Sequence, residues 1–159
     1  MPSRDVHRPA GMAVGGAFAG ARAYAQYKDC PDWLVRTIIA TLGGIGGGWL
    51  GGAMPDWIDP PTSPNHRNYG HGVATVIGVI GGAADWLAGV QKKFRDKADQ
   101  LQRDRWMLNS DFERAISIAA EFILRLLAGV IDGVLAGYAS HLTLDAFSAS
   151  SLPVFARGM

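Results

Sequence analysis

The chain has 159 residues, a formal net charge of +1, 48% hydrophobic and 18% charged residues, and a mean hydropathy of +0.09. That length suits one domain with one core, and the near-neutral charge, without an aromatic-studded basic groove, excludes general attraction to nucleic acid. The composition is apolar for a soluble domain but too polar for a chain that is mostly transmembrane, and the single Cys30 excludes an intrachain disulfide or a thiolate zinc cluster.

Residues 1–10 are polar and carry His7; the basic start lacks an uninterrupted apolar core, since Arg22 and Gln26 break the small-residue stretch after it, so no cleaved signal peptide is expected. A first helix is predicted from Gly11 to Tyr27, with Gly16 and Gly20 on one face where a neighbouring backbone can come close. Pro31 and Asp32 suit the opening of a second helix, because proline is tolerated in a first turn and a carboxylate there complements the helix dipole. This helix is expected to end near Met54. Thr37–Pro55 contains no charge over 19 residues, the length at which a membrane span begins. It also contains Gly43, Gly44, Gly46, Gly47, Gly48, Gly51 and Gly52, each costing a helix interior about 1 kcal/mol relative to alanine unless close packing compensates.

Pro55, Pro60, Pro61 and Pro64 predict a loop over Met54–Asn68. From Gly70 the apolar spacing of Val73, Ile77, Ile80 and Ala84 predicts a third helix through Gly89. Lys92–Arg105, with six basic and three acidic residues, reads as a solvated amphipathic extension of it. Ser110 and Glu113 form an S-x-x-E capping box, so a fourth helix should run from Asp111 towards Ala146, with Glu121 and Arg125 spaced to pair. No alternating β-branched run exceeds a few residues. The expected fold is all-α: one domain over residues 1–159, a compact bundle of four to five glycine-rich, partly membrane-embedded helices.

Two stretches hold an unusual concentration of metal-ligand chemistry. Met54–Gly72, MPDWIDPPTSPNHRNYGHG, carries Asp56, Asp59, His66 and His71; Gly137–Asp145, GYASHLTLD, carries His141 and Asp145. His141 and Asp145 are four apart and project from one helix face. His66 in the loop and His71 at the helix opening straddle a junction where they can converge, and Asp56 reaches the same point if the second, third and fourth helices are neighbours. Oxygen and imidazole donors without sulphur suit a hydrolytic metal site. A divalent ion is expected, zinc by ligand type or manganese as the alternative.

These residues resemble the signature of the YdjM-like membrane-bound metal-dependent hydrolases, in which a Pro-Asp acidic motif, an H-R-x-x-x-H motif and a G-Y-x-S-H-x-x-x-D motif succeed one another between hydrophobic helices. The resemblance implies a metal-binding set of Asp56, His66, His71, His141 and Asp145, with His7 as a family histidine near the N-terminus, and a place in the bacterial inner membrane. A peripheral or cytoplasmic protein is the alternative. The chain departs from the family where Asp59 is followed by Pro60 instead of histidine and where Gly70 and Gly72 flank His71.

With such a site, Asp59 or Asp56 would take the proton of an attacking water, and Arg67 would hold an anionic group bidentately. The surrounding apolar helices point to a lipid or lipid-linked phosphoester or other ester as substrate. The rival expectation is a non-enzymatic glycine-zipper membrane protein that assembles through its helix faces, homo-oligomers included, with incidental histidines.

Overall fold

The computed structural model describes residues 4–58 and 81–147, and every regular element among them is helical: α1 (Arg4–Tyr27), α2 (Trp33–Ile58), α3 (Gly81–Asp104) and α4 (Asp111–Ala146), with a 3-10 turn at Arg105–Met107 before α4. The four form a bundle in which α2 packs on α1 and α4, α1 packs on α4, and α3 lies against α4.

The start of α4 arises from its local sequence. The Ser110 hydroxyl accepts from the Glu113 backbone N–H at 3.1 Å, and the Glu113 carboxylate accepts from the Ser110 N–H at 3.3 Å. Each bond satisfies a donor that the first helical turn leaves unpaired. Ser110→Ala should therefore lower stability by about 1 kcal/mol, read as a reduced midpoint in denaturation monitored by far-UV circular dichroism.

Two boundaries differ from expectation. α1 begins at Arg4 rather than Gly11, so His7 is helical; Pro9, the sixth residue of α1, lies inside it, and its missing N–H leaves one carbonyl of the first turn without its helical partner. α2 does not stop at Met54 but runs through Pro55 to Ile58. The Pro55 ring is fully buried, and the backbone position four residues before it is Gly51, which is itself buried. That packing offsets a proline penalty of about 3 kcal/mol and makes Asp56 part of the last turn of α2 instead of a loop. Residues 59–68 and the predicted helix opening at Gly70 lie outside the described residues.

Glycine sets the interhelical distances. Gly11 and Gly15 of α1 face Gly48 and Gly44 of α2, an antiparallel register; Gly129, Gly133 and Gly137 of α4 face Ala40, Gly44 and Gly48 of α2, a parallel one. At Gly43, Gly47 and Gly51 an added Cβ would stand inside 3.0 Å of the backbone carbonyl oxygens of Leu126, Val130 and Val134. Backbones this close gain dispersion along the whole seam, which compensates the poor helix propensity of the residue that allows it.

The distribution of side chains is inverted relative to an ordinary water-soluble core. The buried apolar residues are mostly alanines, among them Ala19, Ala23, Ala40, Ala98 and Ala128, alongside buried Arg95, Arg125, Asp132, His141 and Asp145. Large apolar groups point outwards instead: Leu34, Val35, Ile38 and Leu42 on α2, and Phe122 and Ile123 on α4, are each 44–58% exposed.

α3 corrects a further expectation, since Lys92–Arg105 is not simply a solvated face. Lys92, Lys93, Asp96 and Lys97 are exposed, but Gln91, Arg95 and Ala98 are buried. The inward stripe, at helical spacing, is polar. Arg95 and Gln91 reach Asp132 of α4 at 3.0 and 2.5 Å, where Arg22 of α1 also arrives at 2.6 Å. Nearer the α1–α2 turn, Asp99 accepts from Arg36 at 3.0 Å and Arg125 at 2.9 Å, and Arg125 pairs with Glu121 at 2.8 Å, the expected four-residue partner. At the turn itself burial opposes ionisation of Asp32, but hydrogen bonds from Arg36 and Gln102 outweigh it and hold the carboxyl below the usual carboxylate range.

Candidate metal centre

At the opposite end of the bundle, three helix ends deliver donors to one point. α1 contributes His7 from its second turn, α2 contributes Asp56 from its last, and α4 contributes His141 and Asp145, one turn apart. The antiparallel α1–α2 register and the parallel α2–α4 register together require this: the start of α1 and the ends of α2 and α4 lie at the same end. Gly52 completes the alignment, because its bare backbone lets His7 approach on one side while its carbonyl meets His141 on the other.

His7, His141 and Asp145 are each no more than 3% exposed. Asp145 turns one oxygen to each imidazole, with Oδ1 3.5 Å from His7 Nε2 and Oδ2 3.5 Å from His141 Nε2; Asp56 Oδ1 lies 3.8 Å from the same His141 nitrogen. The two rings stack with centroids 3.8 Å apart and planes 17° from parallel. One ligand atom from each of His7, His141 and Asp145 falls within 4.8 Å of the others.

The two 3.5 Å separations are compatible both with lengthened ion pairs and with a shared cation. A charge-assisted N–H···O bond closes to about 2.7–2.9 Å, whereas two ligands each about 2.0–2.1 Å from one tetrahedral ion stand about 3.3–3.4 Å apart. The other nitrogen of His141 supports the same arrangement: Nδ1 is 2.6 Å from the Gly52 carbonyl oxygen, which can only accept, so Nδ1 carries a proton. In the neutral ring Nε2 then presents a lone pair towards two carboxylates. A backbone carbonyl orienting an imidazole in this way is the usual outer support of a metal ligand.

The local field favours a positive charge. The Asp145 and Asp56 carboxylates, 3.5 and 3.8 Å from Nε2 of His141, and the Gly52 carbonyl at its Nδ1 surround the ring with negative charge. Imidazole and carboxylate donors suit zinc or manganese.

The structure thus brings together four of the residues singled out from sequence: His7, Asp56, His141 and Asp145. Asp59, His66, Arg67 and His71 lie outside the described residues. The periodicity of α4 already placed His141 and Asp145 on one face; His7 had no local signal of its own, since the polar residues around it concealed a helix. No family model matches this chain, and neither a curated protein nor a solved structure matches it.

Proposed function

We propose that the protein is a membrane-associated, metal-dependent hydrolase acting on a phosphoester or other ester of a lipid or lipid-linked substrate. The observation that carries this reading is the convergence of His7, His141 and Asp145, with ligand atoms within 4.8 Å of one another and Asp56 3.8 Å from His141. The three ordered motifs shared with the YdjM-like hydrolases support it from the sequence side. Among the described residues α2 is long and apolar enough to cross a membrane, and the outward-facing apolar side chains of α1, α2 and α4 suit a lipid surface. The charged outer face of α3 then belongs towards water. On the resemblance, the location is the bacterial inner membrane.

His7, His141 and Asp145 would hold the ion, with Asp56 at its margin. A divalent ion held there would supply Lewis acidity towards water and a phosphoryl or acyl oxygen. The Gly52 carbonyl keeps Nε2 of His141 directed inwards. Asp56, whose side chain is 13% exposed and which stands farther from His141 than Asp145 does, would accept a proton from attacking water; Asp59 is the alternative base. Arg67 is assigned to the anionic group of the substrate.

Metal analysis of protein purified in detergent after zinc or manganese supplementation tests the reading. About one ion per chain is expected, in keeping with a single donor cluster of this size, and it should be lost in His141→Ala and Asp145→Ala variants that keep their helical circular dichroism. Background metal in folded wild-type protein, or full retention in both variants, would refute it. The second reading, a non-enzymatic membrane protein packed through glycine-lined helix faces, draws on the close glycine seams within the chain and predicts that negative outcome.

A further inference from the structure

Beside the donor cluster, α1 and α4 part to leave a groove of about 640 Å³, within the range of small-molecule sites. Val14 and Phe18 form one wall, Leu135 and Leu144 the other, and the small Ala136 and Ala139 leave the space between them. We propose that this groove holds one acyl chain of a lipid, a placement that rests on the hydrolase reading above for the position of the lipid's polar end.

The chemistry of the lining selects hydrocarbon. The hydroxyls at its upper end are already committed to their own helix: Ser140 donates to the Gly137 carbonyl at 2.8 Å and Thr143 to the Ala139 carbonyl at 2.8 Å. The guanidinium at its lower end, Arg22, is held by buried Asp132 at 2.6 Å and lies 5.8 Å from the Phe18 ring. A polar ligand entering here would give up water for few new partners, whereas a hydrocarbon chain loses nothing.

Position and length agree. Ser140 and Leu144 immediately precede His141 and Asp145 in α4, so the upper end of the groove reaches the same turns of α4 as the donors, which themselves stay buried. From Ala10 to Arg22 the groove runs along α1 for about 18 Å, close to the reach of acyl chains in one leaflet of a hydrocarbon core about 30 Å thick. Val14 and Phe18 are each 44% exposed, and Met12 beside them 36%. The groove is thus continuous with the outer apolar surface, and a chain can enter sideways from a bilayer while its ester stays near the helix ends.

Native mass spectrometry of the full chain, released from detergent in the presence of a dipalmitoyl phospholipid, tests the placement. Wild-type protein should retain one lipid per chain; Ala139→Trp and Val14→Trp, which fill the groove, should bind it at least about tenfold more weakly. Leu42→Trp, on the exposed face of α2, should bind as wild type does. Equal retention in all variants, or equal loss in Leu42→Trp, overturns the proposal, as does a change of oligomeric state in Ala139→Trp with lipid binding intact, which would assign the groove to a second copy. Metal content measured on the same samples separates the two readings: a lipid lost only from the groove variants in a metal-free protein upholds the groove and rejects the hydrolase, while metal without groove-dependent lipid does the reverse.

Discussion

Gly47→Ala is expected to break the α2–α4 seam, while Gly46→Ala, one residue earlier on the same helix, is expected to be harmless or stabilising. Both substitutions gain the same helix propensity, about 1 kcal/mol. They differ in what the new methyl group meets. At Gly46 nothing lies within 4 Å; at Gly47 the methyl would collide with the carbonyl oxygen, carbonyl carbon and Cα of Val130. Those are backbone atoms of a packed helix and cannot rotate aside, so relief requires α2 and α4 to separate along the whole register that includes Gly43 and Gly51. Overpacking of this kind typically costs about 1–3 kcal/mol and sometimes more, and separation would also withdraw the Gly52 carbonyl from His141. Thermal unfolding of both variants in one detergent, monitored by circular dichroism, checks the contrast. Matching midpoints would show that the seam is not what holds α2 to α4.

The second large effect is expected at Asp132. Its carboxylate is fully buried and binds Arg22, Arg95 and Gln91, so α1, α3 and α4 meet on it. Asp132→Ala removes the carboxylate that pairs with two guanidinium groups, one of which, Arg95, is itself buried. Leaving a buried charge unpaired costs about 3–5 kcal/mol. Arg22 is 41% exposed along its side chain and can turn to solvent, so most of the loss should arise from Arg95. The double variant Asp132→Leu with Arg95→Leu should recover part of the stability, because it removes the buried unpaired guanidinium while Gln91 and Arg22 still lose their acceptor. A double-mutant cycle by chemical denaturation measures this coupling; additive losses would place the stabilisation of α3 elsewhere, in the Arg36–Asp99–Arg125 contacts.

Both effects bear on the candidate centre through the register of the helices. The glycine seams bring His7, Asp56, His141 and Asp145 to one end of the bundle, and the Asp132 cluster fastens α3 beneath that end. Perturbation far from the donors should therefore be felt at them, because each donor is on a different rigid helix or a different turn and none is near another in the chain except His141 and Asp145.

The features legible from sequence were those with local causes. The capping box placed the start of α4 because its two hydrogen bonds close within four residues, and the His141–Asp145 pairing came from helical spacing. The all-α class came from apolar periodicity and the want of β-branched alternation. The limits of α1 and α2 were not legible in this way. Pro55 read locally as a break, but burial beside Gly51 let the helix continue, and the polar residues before Gly11 hid the first turns of α1.

The polar stripe of α3 marks the boundary most clearly. Gln91, Arg95 and Asp99 recur at helical spacing, and that pattern is the same whether it faces water or a buried aspartate; only the position of Asp132, 37 residues beyond Arg95, settles which. Thus the sequence by itself determined the all-helical class, the start of α4 with its glycine-bearing face, and the pairing of donors within it, whereas on α1 it is Gly11 and Gly15, not Gly16 and Gly20, that meet a neighbouring backbone. Tertiary structure alone decided that His7 and Asp56 join them and that charge lies inside with large apolar groups outside, because those outcomes depend on helix register and on contacts between residues far apart in the chain.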